Sequence, residues 1–117
     1  MKPLKITIKD IPWTVQAIPE QMYLLAIGSD SMGVTDKNTR EITLSRAHLS
    51  TELIRHELFH AYCSSCCIDS THQLTTDDFE EIAAEIVGYH AEDICKTAKK
   101  LYNTLQAQIT TEGQKNG

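Results

Sequence analysis

The sequence lacks long hydrophobic runs and is short of positive charge. No stretch approaches the roughly 20 apolar residues that a membrane-spanning helix needs. Lys and Arg number 11 against 16 Asp and Glu, which gives a formal net charge of −5 at pH 7. Nucleic-acid-binding surfaces are usually basic, so this composition argues against nucleic acid as a partner, and the missing apolar span argues against a membrane. Internal repeats and low-complexity segments are also missing.

What the chain does contain is enough apolar material for one modest core. At 117 residues and 41% hydrophobic content, it should form a single domain over residues 1–108, with a flexible tail at 109–117. Residues 1–10 alternate in polarity, whereas a signal peptide has a continuous apolar block, so we expect no signal peptide. The cysteines are Cys63, Cys66, Cys67 and Cys95. Without an export signal we expect reduced thiols in a cytoplasmic protein.

Polarity patterns predict strands in the first half of the chain. Residues 5–9 alternate and predict a strand, and residues 11–15 continue as an extended segment. Pro12 should keep that segment out of the interior of a sheet, because proline cannot donate a ladder hydrogen bond. Residues 33–35 and 41–44 flank a polar loop, which predicts a hairpin.

An apolar run at residues 22–27 fits either a strand or a short helix. The second half of the chain carries mainly helical signals. Ser50 can cap a helix that continues to Cys63 without Gly or Pro, and its largely apolar circumference predicts burial between other elements. A second helix should begin near Thr76 and end near Gln108. Its predicted buried side comprises Phe79, Ile82, Ala83, Ile86, His90, Ile94, Thr97 and Leu101.

Residues 56–60 read His-Glu-Leu-Phe-His, an HExxH motif inside the first of these helices. Residues i and i+4 of a helix lie one above the other, so His56 and His60 can both bind one metal ion. Glu57 lies beside them, where it can take a proton from a metal-bound water. Burying all three side chains without partners would cost several kcal/mol, and a metal ion would supply the partner. The motif therefore predicts a Zn²⁺ site with Glu57 as the general base.

A catalytic zinc ion takes three protein ligands and a water, so a further ligand is expected downstream. Helical phase puts Glu80 on the flank of the buried side of the second helix, whereas Glu81 falls on the solvated side. The downstream candidates for the third ligand are Glu80 first and Glu81 second, since predicted helix boundaries shift by two residues or more, followed by Glu85, His90 and His72. Cys63, on the same side of its helix as both histidines, is a further candidate, and its thiolate would make the site structural in character.

Four segments, residues 33–36, 40–45, 53–61 and 80–87, resemble the small phage and prophage metallopeptidase-like proteins related to the ImmA/IrrE-type gluzincins. Only the HExxH part of this resemblance is specific. In that family the third zinc ligand is a glutamate that opens a pattern of Glu, two residues, Ala and usually Asn. The corresponding residues here are Glu80, Ala83 and Ala84. The resemblance therefore also points to Glu80, and Ala84 stands where the family usually has Asn.

The resemblance implies an α+β fold with a minimal zincin core. In such a core a small twisted sheet carries the HExxH helix, and a second, long C-terminal helix brings the glutamate ligand. It also implies a zinc metallopeptidase that hydrolyses peptide bonds in a protein substrate, such as a phage or prophage regulator, in the cytoplasm of a bacterial host.

Two further parts would assist the expected reaction besides the metal and Glu57. One is a donor to the oxyanion, for which the sequence offers four unranked candidates: Tyr62, Tyr89, His90 and Tyr102. The other is a strand edge to which the substrate backbone adds, and residues 40–45 are the candidate strand.

Two other functions stay open at this point. A non-catalytic metal-binding module, with a regulatory or interaction role in a phage, would use the same ligands without turnover. A structural zinc protein would close a four-ligand shell around His56 and His60 with cysteines. A second zinc ion would need four residues that lie near one another in sequence, namely Cys63, Cys66, Cys67 and His72. A second CxxC-like pair, which such sites usually have, is missing.

Overall fold

The structure is a computed structural model that describes residues 2–66 and 75–116, with only the backbone described for 114–116. It has the predicted α+β fold, in which four strands form one mixed sheet and a long helix lies at the C-terminal end. The strands are β1 (Leu4–Ile8), β2 (Ile11–Ile18), β3 (Gly33–Asp36) and β4 (Glu41–Ser45). Their order in the sheet is β1-β2-β4-β3. The pairs β1–β2 and β3–β4 are antiparallel, whereas β2 and β4 run parallel.

A two-residue turn joins β1 to β2. Ile8 pairs with Ile11, and the residues between them, Lys9 and Asp10, have φ of 49° and 65°. Positive φ at both central positions is the type I′ geometry, whose twist matches that of the strands it joins. The sequence predicted a hairpin for β3 and β4 but none for β1 and β2, and the pairing of Asp36 with Glu41 confirms the predicted one.

The expectation that Pro12 keeps its strand out of the sheet interior is wrong, because β2 lies between β1 and β4. The physical reason is the register. Parallel pairing with β4 begins only at Thr14, opposite Glu41, so Pro12 lies where β2 has a neighbour on one side alone. Its missing N–H therefore costs no ladder hydrogen bond.

The helices are α1 (Glu20–Ala26), α2 (Thr51–Cys66), α3 (Thr76–Glu85) and α4 (Ala91–Asn116). A 3₁₀ turn (Arg46–His48) precedes α2, and a π-helical turn (Ile86–His90) joins α3 to α4. The apolar run 22–27 is thus mostly helix, and the last helix continues past Gln108 through residues 109–116, which were expected to belong to a flexible tail. The start near Thr76 is confirmed: Thr75 Oγ1 accepts from Asp78 N at 3.1 Å and Asp78 Oδ2 accepts from Thr75 N at 2.9 Å, which is a capping box.

One hydrophobic core joins the sheet to the helices. Its buried residues come from β1, β2, β4, α2, the π-helical turn and α4, and include Ile8, Val15, Ala17, Ile42, Leu44, Ile54, Leu58, Ile86, Ala98 and Leu105. Buried Trp13 links β2 to the end of α2, because its Nε1 donates to Ser65 Oγ at 3.2 Å.

Within residues 2–66 and 75–116, no helix combines the length and the apolarity needed to cross a membrane.

Candidate metal and catalytic site

Helix α2 carries the HExxH motif, and its sequence explains its position. Ser50 Oγ accepts a hydrogen bond from Leu53 N at 3.0 Å, which caps the first turn as predicted. Ile54, Leu58 and Ala61 recur at helical spacing and are fully buried against the sheet and α4. Burying this side fixes the rotation of α2 and therefore the direction in which His56 and His60 point.

The two histidines lie side by side on the exposed side of α2. Their ring centroids are 5.0 Å apart, with the rings inclined at 74°. The side chain of His56 is 68% exposed, and His60 is exposed as well. The expected burial of α2 around most of its circumference is therefore wrong for this side, because the neighbouring elements cover only the opposite side and the flank that bears Glu57. An exposed imidazole pair at this spacing is open to a metal ion from solvent.

Glu57 differs from the histidines because it is buried, with 4% of its surface exposed. The hydroxyl of Thr35 on β3 lies 2.9 Å from Glu57 Oε1 and 3.1 Å from the Glu57 carbonyl oxygen, and can donate to either. The other carboxylate oxygen, Oε2, lies 3.8 Å from His56 Nε2. One oxygen of Glu57 is thus held by the sheet while the other is next to the histidine pair.

Gly33 makes room for this arrangement. A Cβ added at Gly33 would lie 3.2 Å from Glu57 Cγ, 3.2 Å from Leu53 Cδ1 and 3.1 Å from Leu44 Cδ2, which is tighter than ordinary contact. Sequence reasoning identified neither Gly33 nor Thr35 as a site residue. Their spacing of two does put them on one side of a strand, but only the pairing of β3 with the sheet shows that this side meets Glu57.

The third metal ligand is not defined by the geometry of the described residues. Glu80 lies in the second turn of α3 and is exposed, as is Glu81, while Cys63 is half-buried on α2. Among residues 2–66 and 75–116, no three His, Cys, Asp or Glu side chains are grouped so that they could hold a metal ion. Glu80 as third ligand therefore stays a prediction. Cys67 and His72, named for a second zinc ion, lie outside the described residues.

The predicted buried side of the second helix is mostly confirmed, with one correction. Ile86, Ile94 and Leu101 are buried, whereas Phe79 is 59% exposed. Coverage of this side begins only at Ile82, one turn after Phe79. Glu80 therefore lies in a turn that other elements leave open to solvent.

The four candidate oxyanion donors have different surroundings. Tyr62 is buried and its ring lies 5.2 Å from that of His90, and burial, with contributions from Asp93 and Cys66, raises the pKa of its hydroxyl. Tyr102 Oη accepts from Gln106 Nε2 at 3.3 Å, and Tyr89 is 81% exposed. A role for any of them as donor stays a prediction.

A groove of about 430 Å³ opens beside the motif, and we call it the α2–β3 groove. Its lining includes Met32, Gly33, Glu52, Leu53, His56 and Glu57. The strand beside it is β3, at the edge of the sheet, so the expectation that residues 40–45 form the edge is wrong: β4 is paired on both sides. Because Ser45 N donates to Met32 O at 2.9 Å, the alternation of an antiparallel ladder directs the N–H and C=O of Gly33 and Thr35 away from β4.

Comparison with known proteins returns no family model, no curated protein and no solved structure that matches this chain. The resemblance of its motifs to phage metallopeptidase-like proteins therefore stays a prediction. Function is inferred from the chemistry of α2 and β3.

Proposed function

We propose that this protein is a zinc-dependent metallopeptidase, related to the small phage and prophage proteins of the ImmA/IrrE type, that hydrolyses a peptide bond in a protein substrate. The observation that carries the proposal is the pairing of two exposed imidazoles with a buried carboxylate on adjacent residues of one helix. Thr35 can donate a hydrogen bond to one oxygen of this carboxylate, and the other oxygen lies beside the accessible imidazole pair, which is a suitable position for a general base.

The proposed ligands are of the types that zinc binds in proteins, namely imidazole nitrogen and carboxylate oxygen. His56 and His60 would hold the ion through imidazole nitrogens, and Glu80 is the proposed third ligand. When bound, a divalent metal acidifies a coordinated water and polarises a carbonyl, which is the chemistry that peptide hydrolysis needs.

The contacts of Glu57 support its role as general base. Oε1 is within hydrogen-bond distance of Thr35, so Oε2, on the side of His56, is the oxygen available to accept a proton from the attacking water. As the water oxygen bonds to the substrate carbonyl carbon, its proton moves to Oε2. The same oxygen then gives the proton to the amide nitrogen while the C–N bond breaks, which releases an amine and a carboxyl product.

The substrate backbone has an edge to pair with. An extended peptide laid along β3 would bond to the N–H and C=O of Gly33 and Thr35, in the manner of an added strand. Thr35 would then contact the substrate through its backbone and Glu57 through its side chain. The α2–β3 groove lies alongside and takes substrate side chains, with Met32 and Leu53 favouring apolar ones.

The test compares zinc content with cleavage in four variants of the full chain, using a mixture of fluorescence-quenched peptides. Glu57→Gln should keep zinc and lose cleavage, since the amide cannot accept the proton. His56→Ala should lose both. Glu80→Ala should lose zinc, and Glu92→Gln, an exposed carboxylate on α4, is the matched control that should change neither. Wild-type cleavage by Glu57→Gln, or a wild type that binds no zinc, would overturn the proposal.

A further inference from the structure

Cys63 and Cys66 form a CxxC pair at the end of α2, and Cys66 is the last residue of that helix. Both carry thiol groups in the structure, both are half-buried, and both pack against the hydrophobic core. Residues three apart are neighbours on the surface of a helix, with Cβ atoms about 5–6 Å apart. The two thiols are therefore next to each other and within reach of solvent.

A cation lies beside Cys66. Electrostatic interaction with Cys66 is the main cause of the raised pKa of Lys9, and Glu85 adds to it. Lys9 Nζ is also 3.5 Å from Glu85 Oε1, so a carboxylate and a thiol share one ammonium group. Positive charge beside a cysteine favours the thiolate, which is the form that attacks a disulfide. This neighbour suits Cys66 to the attacking role.

The position of the pair favours a disulfide that forms and breaks over a permanent one. A disulfide brings its two Cβ atoms to about 3.5–4.5 Å, so the last turn of α2 would have to tighten by roughly 1 Å or more. Ser65 resists that change, because its Oγ accepts from Trp13 Nε1 at 3.2 Å and ties the turn to β2. Strained disulfides that solvent can reach are easily reduced, and they are the labile and regulatory class.

We propose that Cys63 and Cys66 are a redox-active dithiol that reacts with small disulfides such as oxidised glutathione. The Cys66 thiolate attacks one sulfur of the oxidant, which forms a mixed disulfide and releases the first glutathione thiolate. Cys63 then attacks the sulfur of Cys66, which forms the internal bond and releases the second thiolate. Two protein thiols are oxidised, the small disulfide is reduced to two thiols, and the two protons end on those thiols. Excess reduced glutathione reverses the sequence. This chemistry goes beyond the proposed hydrolysis and does not depend on it.

Counting thiols tests the inference. The full chain is reduced, exposed to oxidised glutathione and alkylated, with EDTA present to remove any metal ion that the thiols could bind, and the intact mass gives the state of each thiol. Wild type should lose two of its four thiols to an internal bond, and excess reduced glutathione should restore them. Cys67→Ser and Cys95→Ser are the controls that should behave like wild type. Cys63→Ser should stop at a mixed disulfide, and Cys66→Ser should form no internal bond.

The role of Lys9 is tested in a chain that keeps Cys66 and has Ser at the other three cysteines. Lys9→Gln should slow formation of the mixed disulfide about threefold or more, whereas Lys5→Gln, an exposed lysine on β1, should leave the rate unchanged. Circular dichroism checks that each variant is folded. An internal bond that survives Cys63→Ser or Cys66→Ser, mixed disulfides alone in wild type, or equal rates for the two lysine variants would overturn the inference. A protein that shows these thiol reactions without zinc-dependent cleavage would refute the proposed function alone.

Discussion

The bond between Thr35 and Glu57 can be tested by replacing Thr35 with Val, which has nearly the same shape but no hydroxyl. The change leaves Glu57 Oε1 without the 2.9 Å donor while the carboxylate stays buried. A hydrogen bond to a charged group contributes about 1.5–3 kcal/mol, and the remaining acceptor keeps its desolvation cost. We therefore expect the free energy of unfolding to fall by about 2 kcal/mol, which corresponds to a drop in Tm of about 8 °C for a domain of this size.

Urea denaturation followed by circular dichroism measures this loss. The control is Thr7→Val, an exposed threonine on β1, which should change stability by less than about 0.5 kcal/mol. A double-mutant cycle with Glu57→Leu isolates the pair, and the cost of Thr35→Val should be smaller by at least about 1 kcal/mol when the carboxylate is absent. An equal cost of Thr35→Val in both backgrounds would show that the hydroxyl does not act through Glu57.

Two further substitutions test the packing and the titration of the site. Gly33→Ala should destabilise the protein by about 1–3 kcal/mol in the same urea assay, because the added Cβ would lie 3.1–3.2 Å from three side chains. The control is Gly88→Ala, where an added Cβ meets nothing within 4 Å, and it should not destabilise the protein. Equal effects of the two substitutions would refute the packing argument. Burial raises the pKa of Tyr62 above its ordinary value of 10.0, so the folded state holds this proton more tightly than the unfolded state. That contribution to stability is complete below pH 10 and is lost as pH rises above it, so Tyr62→Phe should show a shallower loss of stability in alkaline urea titrations than wild type, and parallel curves would contradict the assignment.

Local features of this fold could be predicted because short-range patterns determine them. Alternation predicted β1, Ser50 predicted the start of α2, and Thr75 with Asp78 forms the cap where the next helix was expected. The interior position of β2 could not be predicted, because it depends on where β4 begins to pair along β2.

The candidate site was predictable only where one helix carries it. The spacing of His56 and His60 follows from helical geometry, and their rings do lie together. Thr35 and Gly33 reach Glu57 across a sequence separation of more than 20 residues, and no local pattern encodes that contact. The same holds for Glu80, whose distance from the histidines depends on how α3 packs against α2.

The division between exposed histidines and a buried glutamate bears on what a metal ion does for folding. Solvent hydrates His56 and His60 when no metal ion is bound, and the Thr35 hydroxyl can donate a hydrogen bond to Glu57. None of the three side chains is therefore buried without a polar partner, so none needs a metal ion to offset a cost of burial. The fold should therefore persist when zinc is removed. We expect the full chain treated with EDTA to keep its far-UV circular dichroism and a cooperative unfolding transition, with Tm lowered only by the lost binding free energy, about 2.7 kcal/mol at a zinc concentration 100 times the Kd. Loss of helical signal on chelation would mean that the chain folds only with the ion bound, as proteins with a closed structural zinc site do. His56 and His60 would then be needed for folding, whether or not they are also needed for hydrolysis.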